Sequence, residues 1–142
     1  MQHVSAYEWH GRIFLQPNFK TKSGFWVASE PVSSFDPGNL IELGRGILSA
    51  LAVSKEGVPD PSIWADLCAP LLKSAGAKSS SAFFGSARNV SIESRGDGVT
   101  FSPSRNLGSR EGYRPILGKD RTSPANVSEL GAVPLSAFQD SE

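Results

Sequence analysis

The chain has 142 residues, 39% of them hydrophobic and 20% charged, and its fourteen Lys and Arg balance fourteen Asp and Glu. That length suits one domain that buries a core without staples, and zero net charge points to neither nucleic acid nor a membrane surface. Cys68 is the only cysteine, which excludes an internal disulfide and a cysteine-based metal site.

Residues 3–9 and 12–16 read as two strands around a His10-Gly11 turn, and residues 24–30 as a third after the polar loop 20–23. Their aromatic and β-branched side chains fit a half-buried pleated surface. Pro17 and Pro31 are expected to end strands, because neither can donate to a ladder. Asp36-Pro37 is a helix opening, with the Asp as cap and the Pro in the first turn. Leu40, Leu43, Ile47 and Leu51 follow at helical spacing, and Gly57 closes the segment. Gly44 and Gly46 lie inside this helix, where each costs about 1 kcal/mol against Ala at an exposed position. The pair implies that something approaches closely, either another element of the fold or a partner.

Asp60-Pro61 repeats the opening signal. Ile63, Trp64, Leu67, Cys68, Leu71 and Leu72 then form the apolar face of a second helix, kinked at Pro70 and capped by Gly76. Ser79-Ser80-Ser81 caps a short turn carrying Phe83 and Phe84. Residues 90–93 and 99–102 alternate apolar with polar, and Arg95-Gly96-Asp97-Gly98 between them makes a hairpin turn. Residues 103–126 are rich in Pro, Gly and Arg, with one extended piece at 113–117. Residues 127–138 form a weak closing helix, against which Gly131 and Pro134 count, and the last few residues are expected to be loose. The predicted architecture is a single α+β domain over residues 1–142: an antiparallel sheet of about five strands packed with two main helices.

Little in this chain could run catalysis. His3 and His10 are the only histidines, too few for a zinc site, though facing each other across a hairpin they could do acid–base work as in a small hydrolase or nuclease. Cys68 has no positioned His and reads as a buried hydrophobe. Gly44-Arg45-Gly46 lacks the Gly-Lys-Ser/Thr of a phosphate loop. No catalytic, cofactor-binding or metal-ligating residue is assigned, and no cofactor is expected.

Charge is uneven along the chain. Residues 36–68 carry Asp36, Glu42, Glu56, Asp60 and Asp66 against Arg45 and Lys55, net −3, while residues 88–121 carry seven bases against four acids, net +3. The basic stretch, with Arg105, Arg110, Arg114, Lys119 and Arg121 beside Tyr113, could contact phosphates, or its arginines could tie a coil-rich segment to the domain's carboxylates. Trp9 and Trp26 could be core or interface anchors, and Trp64 is assigned to the core face of the second helix. Met1-Gln2-His3-Val4 shows no signal-peptide pattern and no apolar run is long enough to span a bilayer, so a cytoplasmic location is expected.

The ordered set of motifs carries a resemblance. Residues 21–31 (Thr-Lys-Ser-Gly-Phe-Trp-Val-Ala-Ser-Glu-Pro) lead into 43–54 (Leu-Gly-Arg-Gly-Ile-Leu-Ser-Ala-Leu-Ala-Val-Ser). Then come Val58-Pro59-Asp60-Pro61, Phe83-Phe84, Val90-Ser91-Ile92 and Ser104-Arg105-Asn106-Leu107-Gly108. Over residues 20–118 this resembles the immunity proteins of bacterial contact-dependent growth inhibition systems. The resemblance implies a small, cytosolic, non-enzymatic protein. It implies a 1:1 complex with the C-terminal toxin domain, often a nuclease, of the large surface-exposed exoprotein from the same locus. Inhibition would cover the toxin's active site or substrate groove.

No contact residue carries over from the family. Charge alone selects Glu42, Asp60 and Asp66, with Glu30 and Asp36, as toxin contacts facing a basic nuclease. A competing choice is Arg105, Arg110 and Arg114 meeting an acidic toxin. The alternative function is a nucleic-acid-binding accessory protein using residues 88–121.

Overall fold

The computed structural model describes residues 1–142. Its elements in chain order are β1 (Gln2–Trp9), β2 (Arg12–Thr21), β3 (Trp26–Ala28), β4 (Ser33–Phe35), α1 (Leu40–Val53), β5 (Glu56–Val58), α2 (Ala69–Ala75), α3 (Ser80–Phe84), β6 (Arg88–Ser94), β7 (Gly98–Asn106), β8 (Tyr113–Pro115), β9 (Arg121–Pro124), α4 (Val127–Leu130) and α5 (Val133–Asp140). The strands form one nine-stranded sheet with the path β3-β2-β1-β6-β7-β8; β4 and β5 also pair with β2, and β9 with β7. All pairs are antiparallel except β5 with β2.

The α+β class and the hairpin of β6 and β7 are as expected, but the sheet has nine strands rather than five. The added β4, β5, β8 and β9 are three or four residues long, too short for an alternating pattern to register, and β8 falls in the extended piece expected at 113–117. Pro17 does not end a strand. It lies within β2 opposite Val4, and its carbonyl accepts from Ser29 N–H at 2.9 Å. A residue's N–H and C=O leave a strand on the same side, and on that side β4 pairs with residues 13–15 and β3 with 18–20. The donor that proline lacks falls in the break between them, where no ladder bond is lost.

Side-chain alternation divides the core in two. On one face Val4, Ala6, Ile13, Leu15, Val90, Ile92, Val99 and Phe101 pack against Leu43, Ile47 and Leu51 of α1, Leu130 of α4 and Ala137 and Phe138 of α5. On the other, Tyr7 and Phe14 pack against Leu71 of α2, Phe83 of α3 and Ala87.

The helices depart from their sequence signals in physically legible ways. Helix α1 starts at Leu40, not at Pro37, because Asn39 is its cap, accepting from Glu42 N–H at 3.3 Å. Asp36 makes its own turn, accepting from Gly38 N–H at 2.8 Å. Gly57 is not a helix end; α1 stops at Val53, and Gly57 sits in β5 with φ of 77°. No helix covers residues 60–68. Pro70 starts α2 rather than kinking a longer helix, since a proline's missing N–H is no loss in the first turn. Trp64 is consequently exposed and not core. Gly76 caps α2 in the left-handed region, and Ser79 caps α3, both as expected. The closing helix is two helices, α4 and α5, with Gly131 between them and Pro134 in the first turn of α5. The last residues are not loose: Glu142 N–H donates to Ser104 O at 3.0 Å, Asn106 N–H donates to Glu142 O at 2.6 Å, and Ser141 is buried.

Gly44 and Gly46 serve contacts within the fold. A Cβ on Gly44 would meet the Val127 carbonyl of α4 at 2.6 Å, and one on Gly46 would overlap the Phe35 ring of β4. Gly131 lies against the Leu40 backbone with the same lack of room, so α1 and α4 approach each other through glycines from both sides.

Candidate functional site

The segment between β5 and α2 has the most distinctive surface. β5 pairs in parallel alongside the end of β2, and Asp60 just beyond it turns back onto the β2–β3 loop. Its carboxylate accepts from Ser23 N–H at 3.2 Å and from the Ser23 hydroxyl. These hydrogen bonds hold the Asp60 carboxyl below its usual range. The clamp brings Phe25 and Trp64 together edge to face, ring centroids 5.8 Å apart. Phe25 is 57% exposed, Trp64 51% and Ile63 69%, so three large apolar side chains stand in solvent on two linked loops.

Beside them runs a groove of about 510 Å³ whose lining includes Trp26, Trp64, Leu67, Cys68, Leu72 and Phe84. Its one charged lining residue is Asp66. Asp66 has φ of 63°, and its carbonyl accepts from Ala69 N–H at 3.1 Å, the turn that leads into α2. Its carboxylate has no ion-pair partner. Burial pushes the Cys68 thiol up, away from the thiolate that a nucleophile requires.

At one end of the groove Trp26 is backed by His3, centroids 5.2 Å apart, and Lys20 Nζ lies 5.8 Å from its ring. Asn18 Nδ2 donates to His3 Nδ1 at 2.7 Å, which makes Nδ1 the acceptor of a neutral ring. Burial lowers the His3 pKa, opposed by the Glu93 charge. His3 N–H donates to Ser54 Oγ at 2.9 Å, and that hydroxyl donates to Asn18 O at 2.6 Å, tying the end of α1 to the β1–β2 hairpin.

The five acids singled out by charge do not form one face. Asp60 and Asp66 flank the aromatic groove. Glu42 is on α1, paired with Arg45 at 2.8 Å, at the rim of a separate hollow of about 330 Å³ that Phe35 also lines. Asp36 is occupied in its turn before α1. Glu30 lies between the two groups, beside Pro31, which lines the hollow under α1 and a shallow one against Lys73 of α2.

Much of the basic stretch is engaged internally. Arg105 pairs with Glu142 at 3.2 Å, Arg121 with Asp140, and Arg95 with Glu93 at 3.7 Å. Arg88 donates to the Phe138 carbonyl at 3.2 Å. Arg110, Arg114 and Lys119 have no ion-pair partner, and Arg114 and Arg105 line a hollow with Leu117. The histidines are not brought together. His3 is beside Trp26, whereas His10 is at the β1–β2 turn, stacked on Trp9 with centroids 3.7 Å apart. No three His, Cys, Asp or Glu side chains are grouped to hold a metal ion, and no helix is long and apolar enough to cross a membrane.

Sequence reasoning missed the Phe25–Trp64 patch. Its cause is not local: the Ser23–Asp60 hydrogen bond, between residues 37 apart in sequence, holds the start of this segment against the β2–β3 loop.

No family model and no curated protein matches the chain. Solved structures do. A Neisseria meningitidis protein of unknown function matches with a TM-score of 0.82 at 19% identity, covering 99% of this chain and 95% of that one. A chain of a CdiA-CT/CdiI toxin and immunity complex from Yersinia pseudotuberculosis matches with a TM-score of 0.80 at 16% identity, covering 99% and 97%. At these identities the likeness is one of fold. Over nearly its whole length, then, the chain shares its fold with a chain of a toxin and immunity complex, in keeping with the resemblance read over residues 20–118.

Proposed function

We propose that this protein binds and neutralises a cognate C-terminal toxin domain of a contact-dependent growth inhibition system. The observation that carries this reading is the fold shared end to end with a chain of a toxin and immunity complex. The protein acts in the cytoplasm as a non-enzymatic inhibitor in a 1:1 complex, occluding the toxin's active site or substrate groove. An inhibitor of this kind needs a rigid domain and a complementary surface. The clamped aromatic patch supplies large, fixed apolar side chains of the sort that dominate interface energetics.

The proposed toxin contacts are Asp60, Asp66, Glu30, Glu42 and Asp36, which favour a basic partner and speed its encounter. Asp66 and Glu30 are the most available of the five, since Asp60 and Asp36 hold turns and Glu42 is paired with Arg45. The test is co-expression with the toxin domain encoded in the same locus. Restored growth with this protein, and not with an unrelated immunity protein, is expected. Growth arrest despite soluble expression would refute the reading.

A further inference from the structure

Resting on that reading, we propose that the groove beside Trp64 is the anchor site for an arginine side chain carried on an apolar loop of the toxin, with Asp66 as its counter-ion. The groove sets two demands on an occupant. Nine of its twelve lining residues are hydrophobic, so it favours an apolar chain. It also holds one free carboxylate, which an apolar loop alone would desolvate without a partner. An acidic loop would be repelled. A cation on a long apolar stem meets both demands.

Arginine suits the site better than lysine. Its planar guanidinium can lie on an indole face while its N–H fork takes both carboxylate oxygens. Trp26 already has His3 and Lys20 against it, so the indole open to a newcomer is Trp64. The site is also held in place before any partner arrives. Phe25 buttresses Trp64, the Ser23–Asp60 clamp joins their loops, and the turn into α2 fixes Asp66. Little ordering remains to oppose binding.

The experiment is a calorimetric titration of the full chain and its variants against the toxin domain from the same locus. Asp66→Asn and Trp64→Ala are each expected to weaken binding about tenfold or more. Asp97→Asn, at the tip of the β6–β7 hairpin, is expected to leave affinity within about twofold, as a surface change outside the interface does. Asn tolerates the left-handed backbone of residue 66, so Asp66→Asn keeps the fold, which circular dichroism verifies. Each toxin arginine is then changed to alanine and combined with Asp66→Asn. One of them is expected to show no further loss in the double variant, the sign of a direct pair. Tight wild-type binding that ignores both groove variants, or additivity for every arginine, would overturn the anchor and leave the toxin reading standing. Absence of wild-type binding would overturn the toxin reading and the anchor with it.

Discussion

The ring of Phe35 occupies the space where a side chain on Gly46 would stand: a Cβ there would lie 2.7 Å from its Cε2. Two residues earlier, and so on nearly the opposite side of the same helix, Gly44 faces a backbone carbonyl of α4. The two glycines therefore answer differently to alanine. Alanine gains about 1 kcal/mol of helix propensity at either position. Against that gain, Gly44→Ala drives a methyl into Val127 O, which cannot step aside alone, and overpacking of this kind costs about 1–3 kcal/mol. Gly46→Ala meets the far end of a half-buried side chain that can swing outward. Chemical denaturation should show Gly44→Ala as the more destabilised of the two, with Gly46→Ala near wild type.

Trp64 and Phe83 separate surface from core. Phe83 is fully buried among Tyr7, Phe14 and Trp9. Phe83→Ala should lower stability by about 3–5 kcal/mol through the cavity it leaves. Trp64→Ala removes an aromatic that is half in solvent and should change stability by about 0.5 kcal/mol. Equal losses in urea melts would return Trp64 to the core.

That contrast also marks where the sequence was readable. The β6–β7 hairpin, the glycine cap of α2 and the serine cap of α3 were legible because each depends on a local signal. The segment 60–68 was not. Its apolar spacing imitates a helix face, while proline at the start of α2 and the Ser23–Asp60 bond, 37 residues apart in sequence, decide its path. The acids were legible as residues but not as a surface. Their sequence neighbourhood says nothing of α1 and α2 lying on opposite faces of the sheet, which splits Glu42 from Asp66.

His3 should make stability fall in mild acid. Burial lowers its folded pKa below the 6.5 of the free side chain, and the Asn18 hydrogen bond requires the neutral ring. Between the folded and unfolded values the unfolded chain binds more protons, so stability rises with pH across that window. It is complete above about pH 6.5 and declines as pH drops toward the folded value. His3→Gln should flatten this part of the profile in denaturation midpoints taken between pH 7 and pH 5, buffer conditions chosen to bracket the free histidine value. A wild-type midpoint that is level over that range would contradict the assignment of a buried neutral ring.

The Ser23–Asp60 clamp should govern the patch without governing the fold. Hydrogen bonds from Ser23 hold the Asp60 carboxyl below its ordinary value of 3.8, so the clamp is intact above that pH and released as pH falls through the folded value. Ser23→Ala should leave the thermal midpoint close to wild type, because both groups are exposed, yet loosen Trp64 from Phe25. Tryptophan fluorescence anisotropy and toxin affinity should both drop in this variant. An unchanged anisotropy would show that the loops hold their positions without the clamp.

The most direct test of the proposed function is a calorimetric titration of this protein with its proposed partner, a purified C-terminal toxin domain of an exoprotein from the same locus. The expected result is saturable one-to-one binding with a Kd in the nanomolar range, about −12 kcal/mol. Heats no different from dilution, with both proteins folded, would contradict the immunity role.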